Sequence, residues 1–359
     1  MLYMLAELSE GGGVLNLLRY ITVRAGGALI TSLLLGFLVG PHVTAYLRNR
    51  FPQGNPIRDD GPDHDAKSGT PTMGGILILA SMSLSTLLWA RLDNPYVWVI
   101  VLTGLAFAGL GMLDDLSKLL NNSSRGVPGK IRLLVGLLIG GAVGWVAMGL
   151  HPADLSGVLA FPLFKDLHLA LGFLFIPFAS LVIAGSANAV NLTDGLDGLA
   201  IVPIMIAGGA LGVIAYAVGR IDFATYLDVL YVPGAGEFAV ISASLIGAGL
   251  GFLWYNAPPA SIFMGDTGSL GLGGTIGAIA VLIKHEIVFA VIGGLFVAMA
   301  ASVMIQVFYF RLTGKRYFLM APLHHHYEKQ GWPETQIVIR FWIIALILAL
   351  IGLASLKVR

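Results

Sequence analysis

A chain of 359 residues that is 57% apolar and 11% charged lies outside the range of soluble globular domains, which run near half apolar and about a quarter charged. Its 21 Lys plus Arg and 20 Asp plus Glu leave a net charge of +1, which gives no electrostatic reason to expect nucleic acid as a partner. There is no cysteine, so disulfides, thiolate zinc sites and cysteine nucleophiles are excluded together, and any metal must be held by oxygen or imidazole.

Apolar runs bounded by charge, Gly or Pro predict membrane helices near 22–46, 73–90, 96–113, 131–150, 169–190, 198–219, 238–255, 268–283, 287–310 and 338–356. The fold class expected is all-α, a polytopic membrane protein of about ten transmembrane helices. The ninth run is long enough to be tilted or broken. Residues 1–21 lack the basic start, apolar core and small-residue cleavage site of a signal peptide. An even number of spans puts both termini on one side. Thirteen of the 21 Lys and Arg then fall on the other side: Arg48, Arg50, Arg58 and Lys67; Lys118, Arg125, Lys130 and Arg132; Arg311, Lys315, Arg316, Lys329 and Arg340. The positive-inside rule assigns that side to the cytoplasm, which makes both termini periplasmic. We expect one integral membrane domain over 1–359, with its active site formed by cytoplasmic loops 47–72, 114–130, 191–197, 256–267 and 311–337.

The polar residues gather on the basic face. Asp114 and Asp115 close an otherwise uncharged helix, where an ionised side chain costs about 2.5 to 3.5 kcal/mol at membrane depth unless it finds water or a partner. A helix end solvated and satisfied by Lys118 one turn on explains that pair equally well. Asn191-Leu-Thr-Asp194-Gly195-Leu196-Asp197-Gly198 sets two Asp three apart, each followed by Gly, so both carboxylates reach one side of a helical turn while the backbone admits a ligand. A helix cap accounts for one of these acids and leaves the other unexplained. Met264-Gly-Asp266-Thr-Gly-Ser269 is a Gly-rich turn entering a helix, which offers N–H groups suited to phosphate.

Acidic clusters on one face with oxygen ligands alone suit a hard divalent cation such as Mg²⁺, bound through one or two carboxylates plus substrate phosphates. Lys67 and Lys130, in two other loops of that face, could neutralise a diphosphate; Lys118 reads better as an orientation determinant. His324-His325-His326 does not suit zinc, because adjacent residues on a helix point about 100 degrees apart. Imidazoles at the rim suit phosphate or carbonyl oxygens.

Lys67-Ser-Gly-Thr-Pro-Thr-Met-Gly-Gly75, Asp114-Asp115, Asn188 to Leu199, Phe263-Met-Gly-Asp-Thr-Gly-Ser269 and Pro322-Leu-His-His-His-Tyr-Glu-Lys-Gln-Gly-Trp-Pro-Glu334 together resemble the phospho-N-acetylmuramoyl-pentapeptide transferases, the MraY translocases. The Asp-Asp and Asn-Leu-Thr-Asp-Gly-Leu-Asp-Gly motifs are shared with the wider polyprenyl-phosphate sugar-1-phosphate transferases. The His triplet with Gly-Trp-Pro-Glu points to the muramoyl-pentapeptide branch.

The resemblance implies transfer of phospho-MurNAc-pentapeptide from UDP-MurNAc-pentapeptide to undecaprenyl phosphate in the bacterial inner membrane, giving lipid I and UMP, with Mg²⁺, on the cytoplasmic face. It implies Asp114 as base on the lipid phosphate, Asp115 assisting, and Asp266 as magnesium ligand. It places nucleotide and diphosphate near Lys67, Lys130, Asn191, Asp194, Gly195, Leu196, Asp197, Asn256, Phe263, Gln306, His324, His325 and His326, and it suggests a homodimer. Direct attack by the lipid phosphate is favoured over a phospho-enzyme, because a phosphate monoester is already anionic.

One stretch departs from the family. Phe296-Val-Ala-Met299-Ala300-Ala301-Ser302 carries Met and Ala where Glu and Thr are expected. Two rivals are a related GlcNAc-1-phosphate transferase, separable by substrate competition, and a secondary transporter. A transporter places its acids near the bilayer midplane and on paired halves, neither of which is legible here.

Overall fold

A computed structural model describes residues 1–7, 13–54, 69–121, 123, 126–161 and 167–357. Its α-helices, in chain order, are α1 (Leu2–Glu7), α2 (Ile21–Arg50), α3 (Gly75–Trp89), α4 (Pro95–Leu120), α5 (Gly129–Leu150), α6 (Phe175–Thr193), α7 (Ile201–Val218), α8 (Ile221–Leu227), α9 (Phe238–Asn256), α10 (Gly265–Leu282), α11 (Glu286–Ile292), α12 (Gly294–Thr313), α13 (Leu323–Lys329) and α14 (Glu334–Ala354). Among the described residues, eight helices are long and apolar enough to cross a membrane: α2, α4, α5, α6, α7, α9, α12 and α14. The shorter apolar α3 and the central α10 occupy the two other predicted spans.

Local chemistry sets the helix ends. The Asn94 side chain accepts the Tyr96 N–H at 3.0 Å and Pro95 fills the first turn, so α4 starts where a cap and a fixed φ coincide. Gly314, at φ 69, closes α12 in the left-handed conformation that a side chain resists. The long ninth run is broken at Gly293: α11 ends at Ile292 and α12 begins at Gly294. The non-spanning element expected within 311–337 is α13. Two three-residue strands, Val158–Ala160 (β1) and His168–Ala170 (β2), pair antiparallel with Leu159 opposite Leu169; runs this short carry no alternation in sequence that would mark them as strands.

The core is organised around α10, in which every residue from Thr267 to Leu282 is buried. It packs against α4, α6 and α3, while α2 lies along α9 and α9 along α7. Small residues permit this closeness. A Cβ on Gly75 would overlap the backbone of Gly268, and one on Gly111 would overlap the carbonyl of Asp266, so α3 and α4 reach the first turn of α10 backbone to backbone. Because protein surrounds α10 on all sides, it can open with a carboxylate that a lipid-facing helix could not carry.

Candidate active site

Asp114 and Asp115 lie near the end of α4 and Asp266 in the first turn of α10, 151 positions after Asp115. One carboxylate oxygen from each lies within 4.8 Å of the others. Asp115 is the most committed of the three. Its Oδ1 accepts the Asp266 N–H at 3.0 Å, and its Oδ2 accepts the Thr267 N–H at 2.9 Å and the Thr267 hydroxyl at 2.7 Å. It therefore caps α10 from a neighbouring helix, satisfying two of the N–H groups that a helix start leaves open and meeting the positive end of its dipole. Asp114 Oδ1 accepts the Val127 N–H at 2.8 Å.

Asp266 is held from both sides. Its Oδ1 accepts the Asn191 amide at 2.8 Å, and the same amide donates to Ser269 Oγ at 2.9 Å. Its Oδ2 accepts Arg132 at 2.7 Å and Lys118 at 3.1 Å. Lys118 Nζ also lies 2.6 Å from Asp114 Oδ2, and Arg132 Nη1 lies 3.8 Å from Asp114 Oδ1. Lys118, read from sequence as an orientation determinant, thus bridges two acids of the cluster. Thr267 and Ser269, from the Met264–Ser269 motif, belong to the same arrangement, and Arg132 joins it without a motif that announced it. The available signal was helix geometry: residues two apart on a helix point about 200 degrees apart, so Lys130 and Arg132 cannot both face the carboxylates. Arg132 does, and Lys130 is exposed in the first turn of α5.

Around this centre the motif loops are fastened to one another. Phe263 N–H donates to Pro71 O, Gly74 N–H to Phe263 O and Gly75 N–H to Met264 O, at 2.8, 2.8 and 2.9 Å. These bonds clamp the Thr-Pro-Thr-Met-Gly-Gly segment onto the turn that carries Asp266. Asn256 Oδ1 accepts Gly198 N–H at 3.0 Å and its amide donates to Ile262 O at 2.9 Å; Asp197 Oδ2 accepts Ala260 N–H at 3.0 Å. Asn256 and Asp197 therefore tie the 194–198 turn to the 257–263 loop. Leu196 is buried in an apolar cluster with Leu199, Met299, Ile337 and Phe341.

The histidines divide their work. His324 is fully buried, with its ring where a Cβ on Gly195 would stand, so the Gly195 backbone lies flat against the imidazole. His325 Nδ1 pairs with Glu328 at 2.5 Å, and His326 Nδ1 accepts the Leu319 N–H at 3.1 Å. Gln306 Oε1 accepts the N–H groups of Tyr317 and Phe318 at 3.1 and 2.9 Å, which folds the segment after α12 back toward the site. Lys67 lies outside the described residues.

Asp194, just beyond the end of α6, is half-buried. Its carboxyl is pushed up to about 8, first by burial and then by the negative charges of Asp266, Asp115 and Asp197. Part of that elevation comes from the acids gathered close to Asp194. The donor set is wholly oxygen, as a hard cation requires. Its ligand atoms lie within 4.8 Å of one another, the same scale as the ~4.2 Å that separates opposite ligands of an ion bound at ~2.1 Å. Asp266 and Asp114, which share the part-exposed Lys118 and Arg132, are the carboxylates that could hold Mg²⁺, with Asp115 on α4 steadying the first turn of α10.

Comparison with known proteins gives the family. The family model for glycosyl transferase family 4 matches residues 97–284, and signature 1 of the phospho-N-acetylmuramoyl-pentapeptide-transferases matches residues 67–79. Proteins named phospho-N-acetylmuramoyl-pentapeptide-transferase from Dinoroseobacter shibae, Ruegeria pomeroyi and a further Ruegeria species are 63%, 62% and 60% identical to this chain, each over 100% of both chains. The chain belongs to the phospho-N-acetylmuramoyl-pentapeptide-transferase family.

Within that family assignment, the departure at 299 has a structural setting. Met299 is fully buried, and the cluster around it is apolar: Leu196, Leu199, Leu295, Ile337, Val338, Phe341 and Ala345. A flexible thioether fills such a gap well. In this transferase the packing beneath the 194–199 turn is hydrophobic where the resemblance led us to expect a carboxylate.

Proposed function

We propose that this multi-pass membrane transferase moves phospho-MurNAc-pentapeptide from UDP-MurNAc-pentapeptide to undecaprenyl phosphate at the Asp114–Asp115–Asp266 cluster, releasing UMP and forming lipid I. This is the first membrane step of peptidoglycan synthesis, and the chain works in the bacterial inner membrane. The observation that carries the site is the convergence of three carboxylates from α4 and α10, with Asn191, Lys118 and Arg132, at one end of the bundle. The sequence assigns thirteen Lys and Arg to the segments on the same side as these motifs, which supports that side being the cytoplasmic one, with both termini periplasmic. The lipid acceptor enters from the bilayer and the nucleotide sugar from water, so the site has to lie at an interface.

In the reaction read here, an oxygen of the lipid phosphate attacks the phosphorus next to the sugar. The bond from that phosphorus to UMP breaks, and UMP leaves as an anion. A diphosphate bond is exchanged for a diphosphate bond, so catalysis consists mainly of positioning and charge neutralisation. Asp114 holds the lipid phosphate in its deprotonated form, and Asp115 keeps the first turn of α10 in register. Asp266, aligned by Asn191, is the ligand proposed for Mg²⁺, whose charge would offset that of the diphosphate. Asp194, Asp197, Asn256, Phe263 and the His324–His326 segment border the proposed nucleotide side, and we include the homodimer in the proposal on the strength of the family resemblance. The test is Mg²⁺-dependent UMP release from UDP-MurNAc-pentapeptide. We expect loss in Asp114→Asn and Asp266→Asn with the protein still folded; release that persists in both overturns the assignment.

A further inference from the structure

Lys118 and Arg132 stand where a cation would stand. Every oxygen of the three carboxylates has a donor nearby, and the donors are of two kinds. Val127, Asp266 and Thr267 give backbone N–H groups, and Asn191 gives an amide anchored also on Ser269; these are fixed to the fold. Lys118 and Arg132 are long side chains from α4 and α5 whose heads are 18% and 23% exposed, and they hold Asp266 Oδ2 and Asp114 Oδ2. A divalent cation taking Asp266 and Asp114 needs the oxygens those two side chains occupy, and two positive groups kept beside it would be repelled.

We propose that Lys118 and Arg132 form an exchangeable cationic latch on the site. They hold Asp114 and Asp266 in place, yield the shared oxygens to a divalent cation, and then turn to the diphosphate of the nucleotide sugar. This deepens the reading given above and rests on it. Charge supports the order of events. Three carboxylates against two cations leave an excess of one negative charge, a divalent ion turns that into an excess of one positive, and a diphosphate is the group that offsets it. Arginine suits the second role, since its planar fork matches phosphate oxygens in pairs. Arg132 and Lys118 are thereby assigned as metal-gating and diphosphate-binding residues.

The test uses the intact protein in detergent with Mn²⁺ as probe and direct binding as readout. Losing one competing charge-assisted hydrogen bond in Arg132→Gln should tighten Mn²⁺ binding on the order of tenfold, with Arg132→Lys in between. Binding of UMP in the presence of Mn²⁺ should weaken in the same two variants and in the same order. In the unsubstituted protein, saturating Mn²⁺ should raise the rate at which an amine-acylating reagent labels Lys118, read by peptide mass spectrometry; this measurement does not depend on any variant folding. Mn²⁺ affinity that is unchanged or weaker in Arg132→Gln, with Lys118 labelling unmoved by Mn²⁺, overturns the latch. Asp266→Asn separates the two readings: if it keeps full Mn²⁺ binding, the metal site falls and the latch with it. If it loses binding while the Arg132 and labelling results stay flat, the latch alone falls.

Discussion

The two ends of the bundle handle buried charge in opposite ways. At the end away from the carboxylate cluster, Arg24 on α2 meets Glu237 ahead of α9 in a bidentate pair, with both distances 2.6 Å and both side chains almost fully buried. The arrangement is closed. One cation meets one anion, Glu237 Oε2 also accepts the Arg91 N–H at 2.9 Å, and Arg24 reaches Trp89 O. At the other end three carboxylates share two cations, single oxygens serve two donors, and those cations are part-exposed. A charge-balanced, bidentate pair locks helices together. An unbalanced cluster with mobile partners can exchange them, which is what binding a metal and a diphosphate demands.

Several substitutions would break that contrast. The largest effect belongs to Asp266→Asn and Asp114→Asn, which should lower UMP release by about 10²–10⁴-fold with little change in the thermal unfolding of the solubilised protein. Arg24→Ala should do the reverse. Stranding Glu237 in the core costs about 3–5 kcal/mol, visible as a lowered unfolding temperature, while Mn²⁺ affinity of the folded fraction stays put. Gly111→Ala tests whether geometry matters as much as charge. Its Cβ would press on the Asp266 carbonyl, and a displacement approaching 1 Å at the reacting groups should cost about 10²-fold in turnover. Met299→Glu, which restores the family's carboxylate, should here destabilise by about 1–3 kcal/mol because it sets a carboxylate among Leu196, Leu295, Ile337 and Phe341; higher stability in the variant would contradict the apolar packing described.

The smallest effect is one of pH, and its sign differs between the ends. Asp194 keeps its proton up to about 8 in the fold against 3.8 ordinarily. The native state therefore binds more protons than the unfolded state across that window, and stability contributed there falls as pH rises. Its half-exposure screens the size. His151, capping α5 at the other end, is held down to about 4 from 6.5, first by burial and then by the charge of Lys284. The unfolded state binds the extra proton there, and stability is lost as pH falls from 6.5 toward 4. Unfolding curves of Asp194→Asn and His151→Gln across pH 4 to 8 should each flatten one limb and leave the other; a limb unchanged in its own variant counts against that assignment.

Much of this was legible beforehand, for identifiable reasons. Span positions came from runs of apolar residues, and such runs are a property of the chain in one dimension. The broken ninth span surfaced as excess length, and its break falls at Gly293. Asp114, Asp115 and Asp266 stood out because a charge near a membrane needs a reason. The hairpin of β1 and β2 did not stand out, since three residues a strand leave no period to read. Nor did the hydrogen bonds by which Asn256, Asp197 and Gln306 also fasten loops to one another. A side chain that ties two loops and one that touches a ligand look alike in sequence.

The sequence by itself determined that this is a many-spanning helical protein with oxygen-rich, thiol-free chemistry gathered on one face, because composition and hydrophobic run length are independent of how helices meet. Only the tertiary structure decided that Asp115 caps α10, that Arg132 rather than Lys130 turns inward, and that Lys118 bridges two acids. Those outcomes depend on the rotation of each helix about its axis and on how closely glycines let the backbones approach, and both are set by packing among residues far apart in the chain.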